Sequence, residues 1–208
     1  MSTASPTFSA VQLDAKHYAV IVKASRELIE SSPTIEAALE RALATKLALV
    51  LDQAVLTGSG ASDPTGITNF SGGINSYSVN AKMSDWSPYA EGIALCALDN
   101  ADAPDTAVMG PKVWADHTTE MTDTTGQPLR RPSTLEDLRL MQTTSCPATS
   151  IIMGGFEEII IGLRKEVRVE VLRERYVDNL QYGFLAYISL DLDAENEEGL
   201  CILDTITT

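Results

Sequence analysis

Between residues 35 and 55 apolar side chains return at steps of three and four: Ile35, Ala38, Leu39, Ala42, Leu43, Leu47, Val50, Leu51, Ala54 and Val55. That spacing places them on one side of a helix. Glu36, Glu40, Arg41, Thr45 and Asp52 fall off the stripe and Lys46 lies at its edge. Ser32 followed by Pro33 supplies a cap and a first helical residue. A helix over 34–56 would be about 35 Å long. Gly58 is expected to stop it in a left-handed conformation.

Before this helix, residues 7–29 read as two extended pieces, with β-branched and aromatic residues concentrated between Lys16 and Lys23. After it the pattern predicts a second helix over 85–100, capped by Ser87 and opened by Pro88, with Tyr89, Ile93, Ala94, Ala97 and Leu98 as its apolar side. A buried strand follows at 105–109, then a Gly110-Pro111 turn and a short helix over 112–121. The Thr-, Gly-, Pro- and Arg-rich stretch 122–136 reads as a long mobile loop. Residues 150–156 read as a strand ending in a Gly pair, and 159–162 as a short helical or irregular piece. Val167, Val169 and Val171 alternate with Arg168 and Glu170, the mark of a half-exposed strand. Strands at 184–193 and 199–206 would complete an antiparallel set, giving an α+β fold with one dominant helix.

Composition narrows the function. A chain of 208 residues at 44% hydrophobic and 21% charged can build a real core. No apolar run reaches the roughly 18–20 residues of a membrane helix, and the N-terminal residues show no secretory pattern. Three widely spaced cysteines, Cys96, Cys146 and Cys201, favour reduced thiols over a disulfide framework. Fifteen basic against 29 acidic side chains leave a net charge of −14, which repels nucleic-acid backbones.

The candidate chemistry is thin. Gly58, Gly60 and Gly66 follow a helix and no lysine comes after them, the reverse of a phosphate-cradling loop. His17 and His117 are a hundred residues apart, and no cysteine pair has metal-ligand spacing. Cys96 or Cys146 could meet His117 only through folding, and Cys96 reads as a small core residue. The acidic run from Asp191 to Glu198 lacks a calcium-loop spacing and reads as a solvated turn. No catalytic, cofactor-binding or metal-binding residue is therefore expected.

The order of the pieces is more specific than any one of them. An extended segment runs into R-E-L-I-E-S-S-P, then the long helix, then V-L-T-G-S-G-A-S-D-P-T-G-I-T-N. This order resembles the major capsid proteins of tailed phages of the Hong Kong 97 type, with Gly58, Gly60, Pro64, Gly66 and Ile67 at the turn that ends that family's spine helix. D-T-A-V-M-G-P at 105–111, Trp114, I-M-G-G-F at 152–156 and the Y-V-D-N within 167–179 continue in family order. The resemblance covers most of 6–206. It implies a shell subunit that associates with copies of itself, or with full-length capsid subunits, in a virion capsid assembled in the bacterial host cytoplasm. It also implies no specific nucleic-acid or membrane partner. Residues 1–30 would be part of an extended loop. A peripheral lobe would hold 31–67 and 160–195, and an axial lobe 68–159 and 196–208. The family's N-terminal arm and the loop's first half are not matched by this sequence. The rest of the loop, near 5–23, is expected to be mobile or paired with a neighbour, and the protein to be a monomer or small oligomer at low salt. Some members cross-link a Lys to an Asn with help from a Glu. Asn179 matches the Asn position, Ala186 stands at the Glu position, and no Lys precedes Lys16. Two other readings stand beside this one: a truncated capsid-like protein that interferes with assembly, and an unrelated cytosolic α+β enzyme.

Overall fold

The computed structural model describes residues 11–31, 35–123 and 125–207. Its elements in chain order are β1 (Lys16–Ser25), α1 (Arg26–Ser31), α2 (Ile35–Thr57), β2 (Asn75–Ser78), α3 (Ser87–Leu98), β3 (Thr106–Met109), α4 (Pro111–Thr119), β4 (Arg139–Gln142), β5 (Ile151–Gly154), β6 (Ile159–Leu172), β7 (Gln181–Ala194) and β8 (Leu200–Asp204). Ser32 and Pro33, expected to open α2, lie outside the described residues. The strands form two sheets, one ordered β1-β7-β6 and one ordered β2-β8-β5-β3-β4.

In the three-stranded sheet every pairing is antiparallel, and β7 takes the centre. Tyr18 stands opposite Ile188 and Lys16 opposite Leu190. Of the segment near 5–23 expected to be mobile or paired with a neighbour, residues 5–10 lie outside the described residues, and residues 16–23 belong to β1, an edge strand paired on one side with β7 of its own chain. The second extended piece is partly the short helix α1. The stripe of α2 is narrower than its sequence pattern. Leu39, Leu43, Leu47 and Ala54 are buried and Leu51 is half-buried, whereas Ala38 and Ala42 face solvent. Leu47 and Ala54 pack with Tyr18, Ile188 and Leu190 from β1 and β7. Val169 and Val171, expected under this helix, lie on β6 beyond its reach and are 52% and 46% exposed.

The five-stranded sheet is mixed, with β8 parallel to β2 and β3 parallel to β4; the strands expected to form one antiparallel set do pair antiparallel, but in two sheets, β5 with β8 here and β6 with β7 in the other. Alternation along β5 explains why it is buried on both faces. Ile151 and Met153 pack in a core with Tyr89 and Cys96 of α3, while Ile152 points the other way, toward Leu56, Ile67 and Leu192. That second core joins the end of α2 to both sheets. The face of α3 is rotated from its sequence expectation. Tyr89, Gly92 and Cys96 are buried and Ile93 half-buried, but Ala94, Ala97 and Leu98 are exposed. Trp86 takes the cap position in place of Ser87, and Asp85 accepts a hydrogen bond from the Ser87 backbone N–H at 2.9 Å. Within 122–136 the chain folds back on itself. Asp123 accepts from the Thr125 and Gln127 amides, and the Leu129 amide donates to the Met121 carbonyl at 2.9 Å. Residues 159–162 are not irregular; they open the 14-residue strand β6.

The glycine turn after α2 closes on itself. The Gly58 amide donates to the Ala54 carbonyl at 2.9 Å, the Gly66 amide to the Gly58 carbonyl at 2.8 Å, and Thr68 Oγ1 to the Leu56 carbonyl at 3.0 Å. Donors that a phosphate would need are thus spent on the helix's own orphan carbonyls. The expected left-handed stop is absent: Gly66 has φ −75° and Gly58 is not among the positive-φ residues, which include Gly60 at 79°. Glycine is required at 58 and 66 for a different reason. A Cβ on Gly58 would run into the Pro64 and Ala54 carbonyl oxygens, and one on Gly66 into the Gly58 and Thr57 amide nitrogens.

Leu43 is 2% exposed, so Leu43→Ala should cost about 2–5 kcal/mol, the range for truncating a buried leucine. A denaturant midpoint equal to wild type would contradict the packing described. Gly66→Ala should cost about 1–3 kcal/mol or more, as overpacking does, whereas Ala61→Ser, on the exposed tip of the same loop, should leave the melting temperature unchanged.

Candidate assembly surface

Two of the side chains weighed as possible chemistry, His117 and Cys146, make contacts within the fold. Tyr89 Oη and His117 Nε2 share a hydrogen bond of 2.7 Å, and Trp86 stacks on the imidazole with ring centroids 6.0 Å apart. Arg131 lies over the other partner of that stack, 5.2 Å from the Trp86 ring, and donates to the Leu138 carbonyl at 2.7 Å. Cys146 points its thiol at the Val108 and Ser150 carbonyls, each 3.5 Å away, and burial pushes its pKa up to about 12. A thiol held protonated is a poor nucleophile. Cys96 and Cys201 are fully buried in the core against α3. His17 is exposed on β1.

The acidic run is partly structural. Asp191 is buried and accepts from the Asp14 amide, Glu197 accepts from the Gly72 amide, and Asn196 accepts from the Glu198 amide at 3.2 Å. Among the described residues no group of three His, Cys, Asp or Glu is placed to hold a metal ion, and no helix is long and apolar enough to cross a membrane.

What the chain does present is apolar surface. Val169 and Val171 pair with Ala186 and Phe184, so they share the sheet face that α2 covers over β1 and β7. On β6 that face is bare, and Ile161, Leu163 and Val167 join them at 52%, 59% and 52% exposed. At the root of β6 this surface runs into an open cavity of about 370 Å³ lined by Val55, Met141, Phe156, Ile159 and Ile161. Sequence alternation located the valines but could not say that the helix stops short of them. Asn179 sits exposed in the turn between β6 and β7, and Ala186 is buried on β7.

Two sheets, one long helix and a bare edge strand describe a building block more than a pocket for chemistry. The chain belongs to the phage capsid family, whose model matches residues 1–205. It is a structural capsid subunit, and neither an interfering fragment nor an enzyme is favoured. No curated protein matches the sequence. Among solved structures it is similar to the capsid of a native GTA particle, at 19% identity and a TM-score of 0.76 over 100% of this chain and 78% of that one. The capsid of Myoviridae phage XM1 is similar at 12% identity and a TM-score of 0.68, over 93% and 74% of the two chains. A structure from Gordonia phage Cozz follows at 12% identity and 0.70, over 99% and 80%. At these identities the likeness is one of fold.

The aromatic cluster gives a pH expectation. Burial holds the His117 pKa down to about 4, with the Arg131 charge adding to the effect and Asp116 opposing it. The unfolded chain takes up that proton near pH 6.5, so it binds more protons than the folded one between about 6.5 and 4. His117 therefore costs no stability above that window and progressively more as pH falls through it. The stability difference between wild type and His117→Gln should shift against wild type from pH 7 to pH 4; a difference constant with pH would contradict a buried neutral imidazole.

Proposed function

We propose that the chain is a shell subunit of the Hong Kong 97 type, working in a virion capsid by associating with copies of itself. The observation that carries this reading is the family match along residues 1–205. In it α2 is the spine helix, residues 1–30 are part of the extended loop, 31–67 and 160–195 form the peripheral lobe, and 68–159 and 196–208 form the axial lobe. The division of strands supports these boundaries. β1, β7 and all but the first residue of β6 come from the first two groups, and β2, β3, β4, β5 and β8 from the third. Assembly is assigned to the bacterial host cytoplasm, with no membrane, cofactor or specific nucleic acid, and no residue is given a catalytic role.

With −14 on every copy, like-charged subunits repel. The screening length shrinks from about 30 Å at 0.01 M salt to about 3 Å at 1 M. Light scattering of the purified protein should rise with salt, and micrographs of the high-salt sample should show closed particles of uniform size. A monomer at every salt and protein concentration would refute the shell reading. Those particles should be held without covalent links, because an isopeptide needs a proton acceptor beside its amide, and Ala186 offers only a methyl. After boiling in detergent, one band at monomer mass is expected; a ladder would show that another group supplies the base.

A further inference from the structure

The glycine turn after α2 meets β1 at a cavity of about 190 Å³. Tyr18 of β1, Val50, Gln53, Ala54 and Thr57 of α2, and Asp63 of the turn line it. Unlike the cavity at the root of β6, this one has two kinds of wall. Val50 and Ala54 supply hydrocarbon, whereas Asp63, Gln53 and Thr57 supply oxygens. Thr57 Oγ1 already donates its proton to the Gln53 backbone carbonyl at 2.9 Å, so toward the cavity it has only lone pairs to offer.

The charge in this cavity has no counter-ion. Asp63 is half-buried and forms no ion pair among the described residues. Beside it Tyr18 is 7% exposed, and its hydroxyl is buried without a completed hydrogen bond. Burial, and after it the Asp63 charge, push the Tyr18 pKa up to about 12. The hydroxyl therefore keeps its proton and faces the carboxylate. An unpartnered buried hydroxyl and a half-buried carboxylate without a counter-charge both cost free energy. A cation held at one carboxylate oxygen fixes the group, and the other oxygen can then accept the tyrosine proton.

We propose that this cavity binds a primary alkylammonium group, with its methylenes along Val50 and Ala54 and its N–H donors on Asp63, Thr57 Oγ1 and the Gln53 side-chain carbonyl. Tyr18 is a positioning residue that steadies Asp63 from the buried side. The donor set suits an ammonium better than a metal ion. Calcium takes about six to eight oxygens, several of them carboxylate, and this cavity supplies one carboxylate. An occupant ties the edge strand β1 to the end of α2. The same chemistry has two sources, a free amine or the side chain of a lysine from a second copy. The site itself stands apart from the shell reading; only the second source rests on it.

The probe is n-butylamine hydrochloride at pH 7, with tetramethylammonium chloride, which has charge but no N–H, as control at a common ionic strength of about 0.1 M. At about five times its dissociation constant, butylamine should raise the melting temperature of the full chain by about 2–4 °C more than the control does. Asp63→Asn should abolish that difference. Tyr18→Phe should shrink it without lowering the melting temperature of the protein alone, because it removes a hydroxyl that had no partner. Equal shifts from the two salts, or a butylamine response that survives Asp63→Asn, would overturn the site. A shift with calcium chloride that exceeds the butylamine shift and vanishes in Asp63→Asn would overturn it in favour of a metal. Carbodiimide coupling in particles mixed from light- and heavy-nitrogen chains separates the sources. Asp63 joined to a lysine of the other label identifies a second copy, and Asp63 joined only to added butylamine identifies a free amine. A chain that forms no particles counts against the shell reading alone, since the melting experiment decides the site on the isolated chain.

Discussion

One α-helix with its side chains is about 10 Å wide and neighbouring strands lie about 4.8 Å apart, so a single helix covers two strands of a sheet and not three. The arrangement of this subunit depends on that mismatch. On α2, Leu47 and Ala54 pack on β1 and β7, Leu39 and Leu43 are buried as well, and beyond Ile159, which joins the second core, the third strand is left uncovered. A globular enzyme of similar size would add a second helix over β6. Here the uncovered strand is the longest edge strand among the described residues, and its apolar side chains remain in water until something else arrives.

The second core carries the other half of the architecture. Leu56, Ile67 and Phe70 flank the glycine turn and meet Ile152 from one sheet and Leu192 from the other. The turn can bring these side chains together only because backbone touches backbone at Gly58 and Gly66. Its role is spatial. Small residues let two chain segments lie in contact, and the large residues on either side of them fill the space between sheets.

Periodicity made α2 legible, along with β3, β5 and the order of the elements, because a repeat of side chains reports which residues share a side. It is silent about how many sides are covered. The alternation in β6 therefore pointed to the right residues and the wrong partner. On α3 the pattern misled more directly. The helix is apolar nearly all round, so Leu98 looked like core while the smallest residue, Gly92, lies on the buried face against Leu203 and Met153. The glycines of the turn were correctly read as structural, but a positive φ and a close approach leave the same letter in a sequence. The spacing of His and Cys pointed to no catalytic centre. The engagement of His117 with Tyr89 and of Cys146 with backbone carbonyls required the fold.

The pairing of β1 with β7 has a further consequence for how the chain comes to be folded. Lys16 is matched to Leu190, so the sheet that shelters α2 cannot close until the chain has been made and released from the ribosome through Leu190. During synthesis the leucines of α2 exist without their floor, and contacts so distant in sequence form slowly. Nascent subunits thus pass through a stage with a complete helix and no sheet beneath it, the kind of intermediate that aggregates when crowded. For a protein made in many copies at once, the schedule of synthesis is as much a part of its design as the shape it reaches.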